Sequence, residues 1–322
     1  MVNSLLKLYA WAIDNKRSNT GAVKHYYGFI RLIAVELGQL FIPIALRLTR
    51  DKHRLETREA DPNNPRLIVS LTSFPARINV VWMVVELMIR QTAKPDLIVL
   101  YLSKAQFASI DVLPKSLRRI IGRGLEVRLV DKDFRSHTKY HYAMREYPND
   151  IIVTVDDDIF YPNYVTQLLM GGYATYPKCV IANRVQTLTF DKQNNLMPYG
   201  KWGGLRKNND YNQLQTGVSG VLYPPPHGVE GSVMYKDLLD SELATRLTPA
   251  GDDLWLFAMT RLAGTRVIKT PQRIRAYGIR IMNNVRLCKL NCNRNFNDEQ
   301  IKKLRNYYIE KLGVDPFENK KG

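Results

Sequence analysis

The clearest pattern along the chain is a series of short, largely apolar runs separated by amphipathic or polar stretches. LIVSLTS (Leu67–Ser73), LIVLYLS (Leu97–Ser103) and LEVRLV (Leu125–Val130) are rich in β-branched residues, and DIIVTVDDD (Asp150–Asp158) carries a fourth such run. Continuous apolar runs of this length fit strands buried on both faces of a parallel sheet. Between the first two, Ile78–Gln91 has helical periodicity and stops before Lys94-Pro95-Asp96, and a basic helical stretch follows Leu113-Pro114. Strands alternating with helices predict an open α/β sheet with right-handed crossovers. Its ligand site should lie at the carboxyl ends of the strands.

Upstream, GFIRLIAVELGQLFIPIALR (Gly28–Arg47) is nearly long enough to span a bilayer but contains Arg31, Glu36, Gln39 and Pro43. Two charges near its middle would each cost roughly 2.5–3.5 kcal/mol on insertion, which disfavours a span. Two readings stay open. One is a helix lying in the membrane interface, with Trp11, Tyr26, Tyr27 and nearby Lys and Arg at head-group level; the other is a helix packed on the α/β domain. Asp51–Arg66 is polar, carries Pro62 and Pro65, and reads as a linker. The expected organisation is a helical segment over 1–50, a linker over 51–65, an α/β domain over 66–262 and a basic extension over 263–322 packed on that domain.

Composition narrows the class. With 322 residues, 45% hydrophobic and 24% charged, disordered, collagen-like and disulfide-scaffold chains are excluded. Cys179, Cys288 and Cys292 are too few for a disulfide framework, and the C-x3-C pair lacks companion zinc ligands, so a reducing compartment is expected. The first residues carry only one Lys before a short apolar stretch and no convincing small-residue cleavage site, which predicts an intracellular protein. The net charge of +17 is unevenly placed. Residues 1–66 hold 11 basic and 6 acidic groups, 67–260 hold 21 and 19, and 261–322 hold 15 and 5. Basic ends of this kind attract nucleic acid, anionic lipid or a phosphorylated substrate.

Candidate chemistry concentrates in two acidic clusters. Asp156, Asp157 and Asp158 directly follow the apolar run IIVTV, where a strand leaves the sheet. In extended chain Asp156 and Asp158 face the same side, which suits one hard divalent ion, Mg2+ or Mn2+. The alternative is a solvated acidic turn. The second cluster, Asp252-Asp253, lies after Gly251 and before the apolar stretch Leu254–Met259, at the expected start of a helix. Capping explains carboxylates there, and the same free N–H groups would keep an aspartate ionised as a general base. One cluster for a leaving diphosphate and one for a hydroxyl nucleophile make a consistent division of labour.

At the level of blocks, SLTSFPARI (Ser70–Ile78), QTAKPDLIVLYLS (Gln91–Ser103), KYHYAMREYPNDIIVTVDDDIFYP (Lys139–Pro162), GVLYPP (Gly220–Pro225) and GDDLWL (Gly251–Leu256) resemble glycosyltransferases of the GT-A fold, especially bacterial enzymes of capsule, O-antigen and lipopolysaccharide assembly. The resemblance covers about residues 66–262. It implies a Rossmann-like, mostly parallel sheet flanked by helices, a nucleotide-sugar donor, and a first strand and loop (Thr72, Ser73, Pro75, Arg77) near the nucleotide. It assigns Asp156 and Asp158 to the metal and diphosphate, with Asp157 beside them, and Asp252 or Asp253, the latter favoured, to the base of inverting members. It also implies Mn2+ or Mg2+, a glycan or lipid-linked acceptor, and a cytoplasmic place at the inner membrane face.

The chain departs from that pattern in having no histidine late in the sequence. His227 is the remaining candidate as a metal ligand, with water and phosphate the alternative. Between Leu254 and Asn297 there is no Asp or Glu, so Arg273, Arg275 and Arg280 are candidates to neutralise diphosphate. Lys139 and Arg135 could reach donor phosphates. Trp202 could stack on a sugar ring, and Gly203, Gly204, Gly217 and Gly220 suggest a turned acceptor region. For the single Arg and Trp residues, solvated surface and core burial are the competing roles. No dinucleotide fingerprint or Walker A sequence follows a strand, which argues against hydride and ATP chemistry. Two other functions remain in play: a metal-dependent nucleic-acid enzyme, which would bind DNA or RNA with steep salt dependence, and an inactive membrane-associated scaffold. Nucleic acid is not the expected partner.

Overall fold

A computed structural model of the chain describes residues 2–14, 22–49, 53–61, 63–203, 211–272, 274, 277–281 and 296–320. The apolar runs form strands where the pattern predicts them: β1 (Leu67–Thr72), β2 (Leu97–Ser103), β3 (Leu125–Val130) and β4 (Ile151–Thr154). Helices α3 (Ile78–Ile89), α4 (Lys115–Arg118) and α5 (Thr138–Glu146) connect them, after α1 (Val2–Asp14) and α2 (Ala22–Leu48) at the N-terminus. Then follow β5 (Ile159–Phe160), α6 (Val165–Thr175), β6 (Val180–Ala182), β7 (Val185–Thr187), β8 (Gln213–Gln215), β9 (Val221–Tyr223), α7 (Ser241–Leu247), α8 (Asp252–Leu262), β10 (Val267–Lys269), β11 (Tyr277–Gly278) and α9 (Phe296–Leu312).

Among the described residues, seven strands make the central sheet in the order β10-β6-β9-β4-β1-β2-β3. Only β9 runs antiparallel to its neighbours β4 and β6; the other pairings are parallel. The period-2 alternation of a strand divides its side chains between two cores. Leu67, Val69 and Leu71 of β1 join Ile98, Leu100 and Leu102 of β2 on the face covered by α2, α3 and α6. Ile68 joins Leu97, Val99 and Tyr101 on the face covered by α5, α8 and α9. Burial on both faces explains why these runs are largely apolar rather than alternating.

The C-terminal boundary differs from expectation. The edge strand β10 belongs to the main sheet, and β11 pairs with β5, so the α/β unit continues past residue 262. Among its described residues, the polar stretch over 53–65 has no helix or strand but is fastened to the domain. Leu55 is buried, and Arg58 and Arg66 pair with Asp96 and Asp150. Pro43 lies inside α2, which runs to Leu48. The buried face of that helix, with Ile42, Ala45 and Leu46, packs on the core, so it is a docked helix. No described helix is long and apolar enough to cross a membrane.

Candidate active site

From β1 the chain steps outward through β2 and β3, then returns to the opposite side of β1 as β4. The carboxyl ends of β1 and β4 are therefore a topological switch point, where neighbouring connections diverge and leave a crevice. Ser73 and Arg77 follow β1, and Asp156, Asp157 and Asp158 follow β4, so backbone topology alone brings both groups together.

The three aspartates are not equivalent. Asp157 is buried and fully engaged: Ser73 Oγ donates to one oxygen (2.6 Å) and Arg77 to the other (2.7 Å). Arg77 also pairs with Asp158 at 3.1 Å, with its guanidinium carbon 5.4 Å from the centre of the Phe74 ring. Ser73, Arg77 and Asp157 thus lock the β1 loop to the β4 loop. Thr72 donates to the Tyr101 carbonyl at 2.9 Å, which fixes the end of β1, and Pro75 lies in the turn that leads into α3. Asp156 and Asp158 remain partly open, with side chains 30% and 21% exposed. Burial, with repulsion from Asp157 and Asp156, pushes Asp158 up to about 6 against the opposing pull of Arg77.

The second acidic cluster reaches the same place from a different element. Lys139 opens α5, is held over β1 by Ser70, which donates to its carbonyl, and is almost wholly buried. Its ammonium bridges Asp156 at 2.9 Å and Asp252 at 3.2 Å. Burial opposes the charge on Lys139, but Asp156, Asp252 and Asp253 outweigh it and hold the ammonium firmly protonated. Asp253, at the start of α8, accepts the Gly217 N–H at 2.9 Å. A Cβ placed on Gly217 would lie 3.2 Å from Asp253 Oδ1, 3.5 Å from Lys139 Nζ and 3.7 Å from Asp156 Oδ1. Three charged atoms from three elements therefore lie within 4 Å of one point, and only a residue without a side chain leaves that point open.

Asp253 is pushed up to about 7, first by burial and then by the neighbouring Asp252 and Asp156, against Lys139 and the Gly217 N–H. That places a carboxylate near neutrality, as a general base requires. Behind it lies a buried polar layer. His137 bonds to the Thr248 carbonyl (2.8 Å) and the Tyr140 hydroxyl (3.1 Å), which fixes the chain just before α8. On the other flank the Tyr161 hydroxyl accepts the Asp156 N–H (2.9 Å) and donates to the Val218 carbonyl (3.3 Å), tying the acidic loop to the Gly217 turn.

Several candidates from the sequence fall elsewhere. His227 is buried and bonds through Nε2 to the Asp150 carbonyl at 2.9 Å. Asp150 precedes β4 whereas Asp156 follows it, so His227 sits at the opposite end of the strand, roughly 20 Å away at the usual strand rise. It cannot share an ion with Asp156. Trp202 is buried, donates its indole N–H to the Met197 carbonyl and packs against Tyr199 and Phe317, so its ring serves the core rather than a sugar face. Gly220 is a chain-reversal residue with φ +88° against Val165 and Leu169, and Gly217 takes the site-facing role instead. Asp157, expected beside the donor, has no free oxygen and acts as a loop clamp. Arg280 turns away to Glu36 on α2, although the neighbouring Ile279 N–H bonds to the Asp158 carbonyl. Arg135, in the left-handed region at φ 56°, reaches the Pro249 carbonyl. Arg273, Arg275, Gly204, Cys288 and Cys292, and the side chains of Trp11, Tyr26 and Tyr27, lie outside the described set.

The role of Tyr161, and the contact of Gly217 with both acidic clusters beyond its expected place in a turned region, were not legible in the sequence. Nothing in the spacing of Gly217 distinguishes it from its neighbours, and the only trace of Tyr161 is its place five residues after Asp156.

No protein-family profile and no curated protein matches the chain. Among solved structures it is similar to a mannosyltransferase from Pyrobaculum calidifontis in complex with GDP-Man and Mn2+, with 15% identity and a TM-score of 0.45 over 90% of this chain and 77% of that one. It is also similar to a 4-diphosphocytidyl-2C-methyl-D-erythritol synthase (12% identity, TM-score 0.39, 70% and 99% of the two chains). A third is glucosyl-3-phosphoglycerate synthase from Mycobacterium tuberculosis in complex with Mn2+, uridine-diphosphate and phosphoglyceric acid (14% identity, TM-score 0.28, 40% and 50%). Likeness at this level concerns the layout of helices and strands, and the chemistry of this chain rests on its own side chains.

Proposed function

We propose that the protein is a metal-dependent glycosyltransferase that moves a sugar from a nucleotide-diphosphate donor, a UDP-sugar being favoured, to a hydroxyl of a glycan or lipid-linked acceptor with inversion. The observation that carries this reading is the meeting of Asp156, Lys139 and Asp253 at the Gly217 turn, beside a switch-point crevice. The acceptor oxygen bonds to the anomeric carbon as that carbon's bond to the diphosphate oxygen breaks. The bonding pair leaves with the diphosphate, and the hydroxyl proton passes to Asp253. One Asp253 oxygen is anchored by the Gly217 N–H, and the other has no protein partner among the described residues. Asp252, paired with Lys139, positions that base rather than replacing it.

The residues present fit Mn2+ or Mg2+. Asp156 keeps one carboxylate oxygen without a protein partner, and Asp158 keeps one unbonded to any other residue, among the described residues. No group of three or more His, Cys, Asp or Glu there could hold a metal. Two carboxylates suit a hard ion that completes its shell with water and substrate phosphate oxygens. When bound, the ion would supply positive charge to the leaving diphosphate. The resemblance at the sequence level further suggests a step in bacterial surface-glycan assembly at the inner face of the membrane.

The test is thermal-shift screening of nucleoside diphosphates with and without Mn2+, followed by hydrolysis assays on the sugar series of the best nucleotide. Metal-dependent stabilisation that disappears in Asp156→Asn and Asp158→Asn is expected. Stabilisation of equal size without metal would overturn the role given to those two residues, and steeply salt-dependent binding of DNA or RNA would favour the nucleic-acid alternative.

A further inference from the structure

Helix α2 presents an apolar face that no part of the described protein covers. Phe29, Leu32, Ile33, Leu37, Leu40, Phe41, Ile44 and Leu48 are all exposed large hydrophobics, with Leu32 and Leu40 at 58% and 57%. Their spacing of three and four residues places them on one side of the helix, a stripe roughly 28 Å long at 1.5 Å per residue. Isolated exposed apolar residues need no explanation, but a continuous stripe marks an interaction surface.

The helix is held rigidly enough to present that stripe. Its inner face is buried, and Arg90, itself paired with the buried Glu86, donates to the Leu46 carbonyl and Thr49 hydroxyl at the C-terminal end of the helix. Gln39 donates to the Gly278 carbonyl and accepts the Arg280 N–H, while Glu36 within the stripe is neutralised by Arg280. Beyond Arg280 the chain runs to Asn297 without a carboxylate and carries Arg286, Lys289 and Arg294.

We infer that this face of α2 docks on an anionic lipid surface. The inference goes beyond the reaction assignment and does not depend on it. Apolar side chains on one face, a neutralised acid within it and a chain of net charge +17 match the chemistry of a bilayer interface bearing acidic head groups. A second copy of the chain is a poor occupant, because each copy brings a net +17 to the contact and the like charges repel. Docking would also hold the reaction crevice near the bilayer, since Gly278 accepts from Gln39 of α2 and the next residue, Ile279, donates to the Asp158 carbonyl.

The experiment is flotation of the full chain with vesicles of phosphatidylcholine alone and with about one third phosphatidylglycerol, together with sedimentation without lipid. Binding to the anionic vesicles, weakened by salt, is expected, and the double variant Leu32→Glu/Leu40→Glu should lose about tenfold or more of it. Both positions are open to solvent, so melting of the variant should be unchanged. Leu32→Ala/Leu40→Ala should fall between the two. The inference is overturned if the wild-type chain ignores anionic vesicles, if the glutamate variant binds as well, or if neutral vesicles bind equally. It is also overturned if the chain is a dimer that the variant dissociates, which would make the stripe a self-interface. Each outcome is read as binding or mass, so failure here leaves the proposed reaction untouched.

Discussion

Replacing Lys139 by Met should expose the electrostatic design of the site more directly than changing any aspartate. The side chain is 5% exposed, and its ammonium lies 2.9 Å from Asp156 and 3.2 Å from Asp252, with the Asp252 side chain itself only 8% exposed. Methionine fills a similar volume, so packing loss is small and the missing charge dominates. Removing one partner of a buried ion pair typically costs about 3–5 kcal/mol, because the remaining charge is left uncompensated. The cost should depend on pH. Asp253 already titrates at about 7 in the folded protein, above its unfolded value, so its contribution is most favourable at low pH and is lost as pH rises through about 7. Without Lys139, which pulls that value down, the window extends further upward, and Asp252 loses its cation as well. Urea unfolding in the presence of a chelator should therefore show a loss of about 3–5 kcal/mol at pH 8 and a smaller one at pH 5, where Asp253 is protonated. A loss under about 1 kcal/mol, or one equal at both pH values, would refute the claim that Lys139 compensates these carboxylates.

Other outcomes follow from the same geometry. Asp253→Asn keeps an acceptor for the Gly217 N–H, so it should fold normally yet lower kcat by about 10²–10⁴, measured as nucleotide release; a smaller loss would move the base elsewhere. The pH–rate profile should rise with ionisation near 7, and Asp252→Asn should move that limb to lower pH by removing a neighbouring negative charge, an outcome read from kcat/KM against pH. Gly217→Ala puts a methyl group where Asp253, Lys139 and Asp156 converge, so activity should fall sharply while the melting temperature moves little. Trp202→Phe should cost about 1–3 kcal/mol of stability through the lost indole bond and packing, with acceptor KM unchanged. A raised KM with unchanged stability would restore a sugar-binding role.

Much of this protein was set by local chemistry that a linear reading can use. The runs at 67–73 and 97–103 could be recognised as strands because burial on both faces demands apolar residues at nearly every position, while the edge strand at 125–130 tolerates Glu126 and Arg128. The acidic triplet was legible for the same reason, since three carboxylates directly after a buried strand have few places to go other than the end of a sheet. The folded chain decided what depends on residues far apart in sequence. Lys139 bridges Asp156 and Asp252 only because α5 and α8 lie on one face of the sheet, and His227 is excluded because β4 separates it from the triplet by the strand's own length. Trp202 and Arg280 were ambiguous for the same reason: an indole or a guanidinium carries no sign of whether its neighbours will be core, solvent or another helix. The outward face of α2 was likewise open in sequence, where a packed helix and an interfacial one look alike, until Ile42, Ala45 and Leu46 were seen against the core with the opposite side left bare. Residue type sets what a side chain can do, and the three-dimensional arrangement of distant segments sets which of those possibilities has a partner within reach.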